Sequence, residues 1–275
     1  MEHVITPEID IESWPQFRAA IEERDLLSWA FRGQASHSWP LSSTLSRYLL
    51  TYRIHPHAWV QQESRIIRIF KRKSHLLLPR VPDEEDTFQW LALMQHHGAP
   101  TRLLDFTWSP YVAAFFALER ATDDAAVWAL HPPTLGPRAT RTVRASQSVS
   151  EDEIGPWIPG GFERHFLPNE NPIVVIGEPH EMNRRLVAQG GTFAIPGMVD
   201  RSVEQLAPTT AILKFRLRTK TLREEAMADL YNMNITHATL FPDLDGLARS
   251  LAYELEYHWA FDPRTMKPRP GYTVE

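Results

Sequence analysis

The chain has no cysteine. This excludes disulfide staples, thiolate metal centres and a cysteine nucleophile, and it fits a reducing compartment. Lysine is scarce, with five lysines against 24 arginines. Arginine suits phosphate recognition, but a net charge of −5 argues against non-specific nucleic-acid binding through overall charge. Long hydrophobic runs are missing as well. The apolar stretch "YVAAFFAL" is far shorter than the roughly 20 residues a membrane helix needs. The opening "MEHVITPEIDIESWPQF" has neither a basic region nor an apolar core, so it does not read as a secretory signal. There is no internal repeat, low-complexity tract or evident linker. What is present is ordinary for a globular protein: 43% hydrophobic and 23% charged residues over 275 positions, ample for a substantial core. The expectation is one soluble, cytoplasmic domain spanning 1–275, with no membrane association.

Local signals mix helices and strands. Ser13 caps a helix predicted over 13–28, with Pro15 in its first turn. "SWAFRGQ" reads as a strand ending at Gly33, and "LSSTLSRYLL" as a helix start with serine caps. Residues 58–78 read as a helix with Ile66, Ile69, Phe70 and Leu77 on one side. "EEDTFQWLALMQHHG" is a helix stopped at Gly98, a residue suited to a left-handed terminator, with Pro100 preventing continuation. "TRLLDF" is a short strand. Ser109-Pro110 is a strong helix start for "YVAAFFALERA". "AAVWAL", "PIVVIGEP", "GTFAIPG" and the alternating "TAILKFRLR" are strands. "EMNRRLVAQ", "TLREEAMADLYNM" and "DLDGLARSLAYELEYHW" are helices. Residues 131–171 are rich in Pro and Gly and read as an ordered excursion or a mobile cover. Without regular strand–helix–strand units, the fold class expected is α+β: a mixed, mainly antiparallel sheet flanked by helices.

The densest stretch is "HHGAPTRLLDFTWSPYVAAFFALE", residues 96–119. It places His96, His97, Arg102, Asp105, Thr107 and Ser109 between apolar runs. Adjacent histidines point in different directions and no HExxH or His-x-His spacing accompanies them, so no metal site is expected. Arg102 and Asp105, three apart on a strand, face opposite sides and should not pair with each other. Burying both without partners would be costly, so each needs a distant mate or a ligand. Arg32 ends an apolar strand beside Gly33, which lets a ligand or another backbone approach closely. The group reads as either a buried polar brace or one wall of a site.

Other motifs fail. No GxxxxGK[ST] loop, GxGxxG turn or GxSxG elbow is present. "FPDLDGLA" resembles the aspartate motif of haloacid-dehalogenase-like phosphotransferases, but only 32 residues follow Asp243. Asp243 reads instead as the cap of the last helix, with Asp245 favouring its positive end. Arg65, Arg68, Arg72 and Lys73 read as a solvated helix face. A nuclease would need an acidic metal cluster, for which Asp243 and Asp245 are the only compact candidates.

"WAFRGQ", "QHHGAPTRLLDFTWSPYVAAFFAL", "NRRLVAQGGTFAIPG" and "TLFPDLDGLA" together resemble the blocks of the FRG domain family, in the family's order. That family takes its name from the Phe-Arg-Gly seen here as Phe31-Arg32-Gly33. A more remote resemblance is to the ADP-ribosyltransferase fold. Its three motifs are an Arg on an early strand, a Ser-Thr-Ser strand entering a helix with Ala-x-x-Phe, and a Glu leading into a later strand. Arg32 matches the first. Asp105, Phe106 and Thr107 fall where Ser-Thr-Ser would, with Ala113 and Phe116 at the helix positions, and Gln189 stands near the Glu. The second motif therefore keeps one hydroxyl and gains an acid, and the third loses its carboxylate. A carboxylate near developing positive charge is a large electrostatic term; Gln189 offers hydrogen bonds without full charge.

The resemblance implies a protein that binds NAD or a related nucleotide. Arg32 would clamp the pyrophosphate, with Gly33 allowing close approach and Arg102 among the binding residues. Thr107 and Gln189 would orient the ribose, and Asp105 would act as base or charge stabiliser. Trp108 or Tyr111 would stack on a ring, and His96 or His97 would contact phosphate. The activity implied is ADP-ribosyl transfer or NAD hydrolysis in a bacterial stress or phage-defence setting. The alternative is a non-catalytic ligand-binding or sensor module of the FRG family.

Overall fold

The structure is a computed structural model, in which residues 6–145, 154–257 and 260–269 are described. Seven strands form one sheet: β1 (Glu8–Ile11), β2 (Ala30–Gln34), β3 (Leu104–Thr107), β4 (Ala125–Leu130), β5 (Val174–Gly177), β6 (Gly191–Pro196) and β7 (Ile212–Leu217). Their spatial order is β1-β7-β4-β2-β3-β6-β5. Short β1 runs parallel to β7 at one edge, and the other neighbouring pairs are antiparallel. The flanking helices are α1 (Trp14–Glu22), α2 (Thr44–Thr51), α3 (Trp59–Ser74), α4 (Thr87–His96), α5 (Pro110–Leu118) and α6 (Pro132–Arg144). They continue with α7 (Gly161–His165), α8 (Arg184–Ala188), α9 (Val203–Leu206), α10 (Thr219–Asn232), α11 (His237–Leu240) and α12 (Leu244–Glu256). The fold is α+β, as the mixture of local signals implies.

Caps set the helix starts. The side chains of Ser13, Ser43, Asp86, Ser109, Asn183 and Asp243 each accept a backbone N–H of the first turn. They satisfy donors that a helix cannot pair internally. The end of α4 is followed by Gly98 at φ +78°, the left-handed stop. The predicted first helix is too long: it ends at Glu22, and the chain turns at Asp25, where φ is +48°.

The alternation of strand side chains builds cores on both faces of the sheet. Phe31 of β2, Val127 and Ala129 of β4 and Phe215 of β7 face α1, α5 and α10. Ala30, Ala126, Trp128 and Leu130, with Leu104 and Phe106 of β3, face the opposite side with Leu135 of α6 and Leu206 of α9. The α5 helix is apolar all round and lies directly on β2. A Cβ on Gly33 would stand 1.9 Å from the Ala113 carbonyl oxygen and 2.6 Å from the Ala117 nitrogen. Gly33 therefore serves the second use foreseen for it, close approach of another backbone.

The 131–171 excursion contains two helices: α6 buries Leu135, Ala139 and Val143 and packs beside β5, and α7 follows. Residues 146–153 lie outside the described residues. The helix read over 58–78 ends at Ser74, and its buried side holds Trp59, Glu63 and Ile67, while Ile69 and Leu77 are exposed. Arg65, Arg68, Arg72 and Lys73 lie on its exposed side. Among the described residues, no helix is long and apolar enough to cross a membrane.

Candidate functional site

The sheet opens in its middle. Strand β2 pairs with β4 from Ala30 to Gln34, and β3 pairs with β6 from Leu104 to Thr107. Between β2 and β3 the register holds at one position, Phe31 opposite Thr107. The next antiparallel partners, Gly33 and Asp105, are unpaired, and both line a cleft of about 690 Å³. Four arginines (Arg32, Arg47, Arg120 and Arg185) and two carboxylates (Asp105 and Glu119) share that lining with Phe31, Phe106, Phe116 and Trp39. Cations thus outnumber anions around the cleft of an acidic protein.

Arg32 crosses the opening. Its Nη1 donates to the Asp105 carbonyl at 2.6 Å and lies 4.0 Å from the Asp105 Oδ2. Its Nε is enclosed and has no hydrogen-bond partner. Burial pulls the guanidinium pKa below its ordinary value, Asp105 pulls it back and Arg47 lowers it further. Asp105 is more open, with 55% of its side chain exposed against 22% for Arg32. Its Oδ2 accepts from Gln95 Nε2 at 2.9 Å, and Gln95 accepts in turn from Thr101 Oγ1 at 2.6 Å. Under-satisfied donors beside a held carboxylate form a site that can take an anion on one side and polarise a hydroxyl on the other.

Thr107 and Gln189 also meet here. The Thr107 hydroxyl donates to the Gln189 carbonyl at 2.6 Å and accepts from the Ser109 amide at 3.0 Å. Gln189 directs its Nε2 to the Leu240 carbonyl at 3.1 Å. Both line the cleft, yet part of the hydrogen-bonding capacity of each ties β3 and the α8–β6 turn together.

Arg102, expected to bind ligand, is a core brace. It is fully buried, and its Nε and Nη2 bond the two carboxylate oxygens of Glu63 on α3. Its Nη1 reaches the carbonyls of Phe166, Pro196 and Gly197 at 2.6, 3.1 and 3.4 Å. All three nitrogens of this fully buried fork are engaged within the core, away from the cleft. Arg102 and Asp105 do not pair with each other, as expected.

The proposed stacking and phosphate contacts lie elsewhere. Trp108 is half-exposed and donates its indole N–H to Glu178 at 2.6 Å, and Tyr111 packs edge-on against Trp14. Neither lines the cleft. His96 and His97 stand edge to face at the end of α4, 4.9 Å between ring centroids, also outside the lining. Burial first, then His97 and Arg185, lower the His96 pKa and keep that ring neutral near pH 7. Among the described residues, no group of three or more His, Asp or Glu is placed to hold a metal ion.

Sequence reasoning passed over Trp39, Arg47, Glu119, Arg120 and Arg185. Glu119 and Arg185 sit inside blocks already singled out, "AFFALE" and "NRRLVAQ". Trp39 and Arg47 carry no local signal. They reach the cleft because Gln34, buried at the end of β2, donates to the Pro40 carbonyl at 3.2 Å and accepts from Trp128 Nε1 at 2.8 Å, pinning the following loop.

Fold and site together define an α+β protein with a cation-rich cleft where two halves of one sheet part. Residues 27–126 match the family model of the FRG domain. The span includes Arg32, Gly33, Arg102, Asp105, Thr107 and Glu119 and stops within β4. No curated protein and no solved structure matches the chain.

Proposed function

We propose that this cleft binds a nucleotide with a pyrophosphate, NAD in the first instance, and supports ADP-ribosyl transfer or NAD hydrolysis. One observation carries the reading. The Arg32 guanidinium faces the cleft with only Nη1 hydrogen-bonded among the described residues, beside the held carboxylate of Asp105. A guanidinium with donors to spare at an open cleft takes a phosphate oxygen by a charge-assisted bond. A second support is that the three positions resembling the transferase motifs stand on or beside neighbouring strands, β2, β3 and β6, around one opening. Arg32 would hold the pyrophosphate, with Arg47 and Arg185 as further cations on the wall. Trp39, 55% exposed at the cleft, replaces Trp108 and Tyr111 as the ring available for stacking. Asp105 would stabilise positive charge developing on the ribose as nicotinamide leaves.

A binding or sensor module is the second reading, and one observation favours it. The position that would carry the third-motif carboxylate is Gln189, and its amide nitrogen is engaged by Leu240. The two readings separate experimentally. Melting of the full chain with NAD, ADP-ribose and ATP tests binding, and a ligand at a hundred times its dissociation constant adds about 2.7 kcal/mol. Nicotinamide release from NAD tests chemistry. Arg32→Ala is expected to remain folded and lose the ligand-induced shift; an unchanged shift in that variant rejects the cleft as the binding site.

A further inference from the structure

Glu119 is a second carboxylate on the cleft wall, and it is held differently from Asp105. It follows α5 directly, and its side chain is 15% exposed. Its Oε1 is hydrogen-bonded to Nε2 of His237, the first residue of α11. Arg120 Nε reaches the same oxygen at 3.4 Å, and Oε2 takes no hydrogen bond among the described residues. His237 is 3% exposed, edge-on to the Phe115 ring at 5.4 Å and beside Phe241 at 5.2 Å and Tyr253 at 6.1 Å. Its Nδ1 is enclosed and unpaired.

A neutral imidazole carries one proton, and here only Nε2 has an acceptor for it. Nε2–H therefore donates to Glu119 and fixes the carboxylate's rotation, leaving Oε2 free. Such an arrangement suits a carboxylate that must accept a proton at a defined place, with an aromatic-walled histidine as its orienter. Asp105, tied at Oδ2 by Gln95 and close to Arg32, suits charge stabilisation better than proton uptake.

We infer that Glu119, oriented by His237, is the proton acceptor of this cleft. The inference rests on the NAD reading above. The attacking group would be water or an acceptor hydroxyl. Its oxygen bonds to the anomeric carbon of the ribose next to nicotinamide. The carbon–nitrogen bond breaks, its electron pair leaves with nicotinamide, and the proton of the attacking O–H passes to Glu119. His237 is a positioning residue, because it acts through Glu119.

The test uses the full chain, NAD as substrate and ADP-ribose as the binding probe. Glu119→Gln is expected to lower kcat for nicotinamide release by about 10²- to 10⁴-fold. ADP-ribose affinity measured by calorimetry should change less than about three-fold, because proton acceptance plays no part in binding. His237→Leu should follow Glu119→Gln, and His237→Gln, whose amide can donate in place of Nε2, should recover part of kcat. If Glu119→Gln does not fold, Glu119→Asp serves; it retracts the carboxylate and should lose at least about ten-fold in kcat by misplacement. A kcat within two-fold of wild type in the folded Glu119 variant overturns the inference and leaves the NAD reading standing. A wild type that binds ADP-ribose without releasing nicotinamide from NAD overturns the proton-acceptor role alone. A wild type that binds neither molecule overturns the NAD reading, and this inference with it.

Discussion

Two arginines in one short region show how far a single residue can be read. Arg32 and Arg102 each follow or precede an apolar run, and each demands a partner once buried. Arg102 finds all of its partners within the protein, while Arg32 finds few. The demand was legible in the sequence; the supplier was not. Glu63 lies 39 residues before Arg102 on a helix whose apolar pattern pointed its neighbours inward, and only the packing of α3 shows that the acid is buried. Opposite outcomes follow for the two arginines. Glu63→Ala strands a buried guanidinium and should cost about 3–5 kcal/mol in urea unfolding. The double replacement Glu63→Leu, Arg102→Met removes both charges and should recover much of that loss, though the carbonyls of Phe166 and Pro196 lose a donor. Arg32→Ala removes one strong hydrogen bond at a partly open site and should cost about 1 kcal/mol or less. If Arg32→Ala destabilises as much as Glu63→Ala, Arg32 is a brace and the cleft loses its anchor.

At the scale of elements, Ser109-Pro110 announced α5, and "AAVWAL" announced β4 at its observed bounds, because capping and apolar runs are local signals. The opening between β2 and β3 was not announced. Strand pairing is a relation between segments more than 70 residues apart, and both strands read as ordinary strands. Short β1 was missed because four residues, although they alternate acid and isoleucine, are too few for the pattern to stand out. In the 131–171 segment, proline hid α6: Pro132 lies in its first turn and tolerates the helix, and Pro137 sits within it. The contact that shapes the opening is α5 on β2. Gly33→Ala would drive a methyl against the Ala113 carbonyl, a backbone atom that cannot rotate away. Overpacking of this kind costs about 1–3 kcal/mol or more. A drop in melting temperature together with weakened ADP-ribose binding is the expected result. A Gly33→Ala variant as stable as wild type would mean that α5 does not rest on β2 as described.

Across the whole molecule, charge is sorted. The chain is acidic, with a net charge of −5, yet the cleft is lined by four arginines and two carboxylates. In a second concavity, Arg216 and Arg218 pair with Asp124. There Arg216 and Arg218 donate to the same Asp124 oxygen at 2.9 and 2.8 Å, and Arg218 also reaches Asp10 of β1 at 3.0 Å. Burial alone would raise the Asp124 pKa, but the two arginines outweigh it and hold the carboxyl below its ordinary value. A carboxylate with a depressed folded-state pKa binds fewer protons folded than unfolded in that range. Its contribution is present above the unfolded-state value, near pH 4, and fades as pH falls through the lower folded-state value. Asp124→Asn should therefore lower stability at pH 7 and shrink the loss of stability that wild type suffers below about pH 4. The cleft should behave differently, because its four arginines face only two carboxylates. ADP-ribose binding should weaken as salt rises from 50 to 500 mM, since the Debye length shrinks from about 14 to about 4 Å and screens the outlying Arg47 and Arg120. The Arg120→Gln variant, which removes an exposed cation of that wall, should show a shallower salt dependence with the fold unchanged. Salt-insensitive binding would place the nucleotide away from this wall.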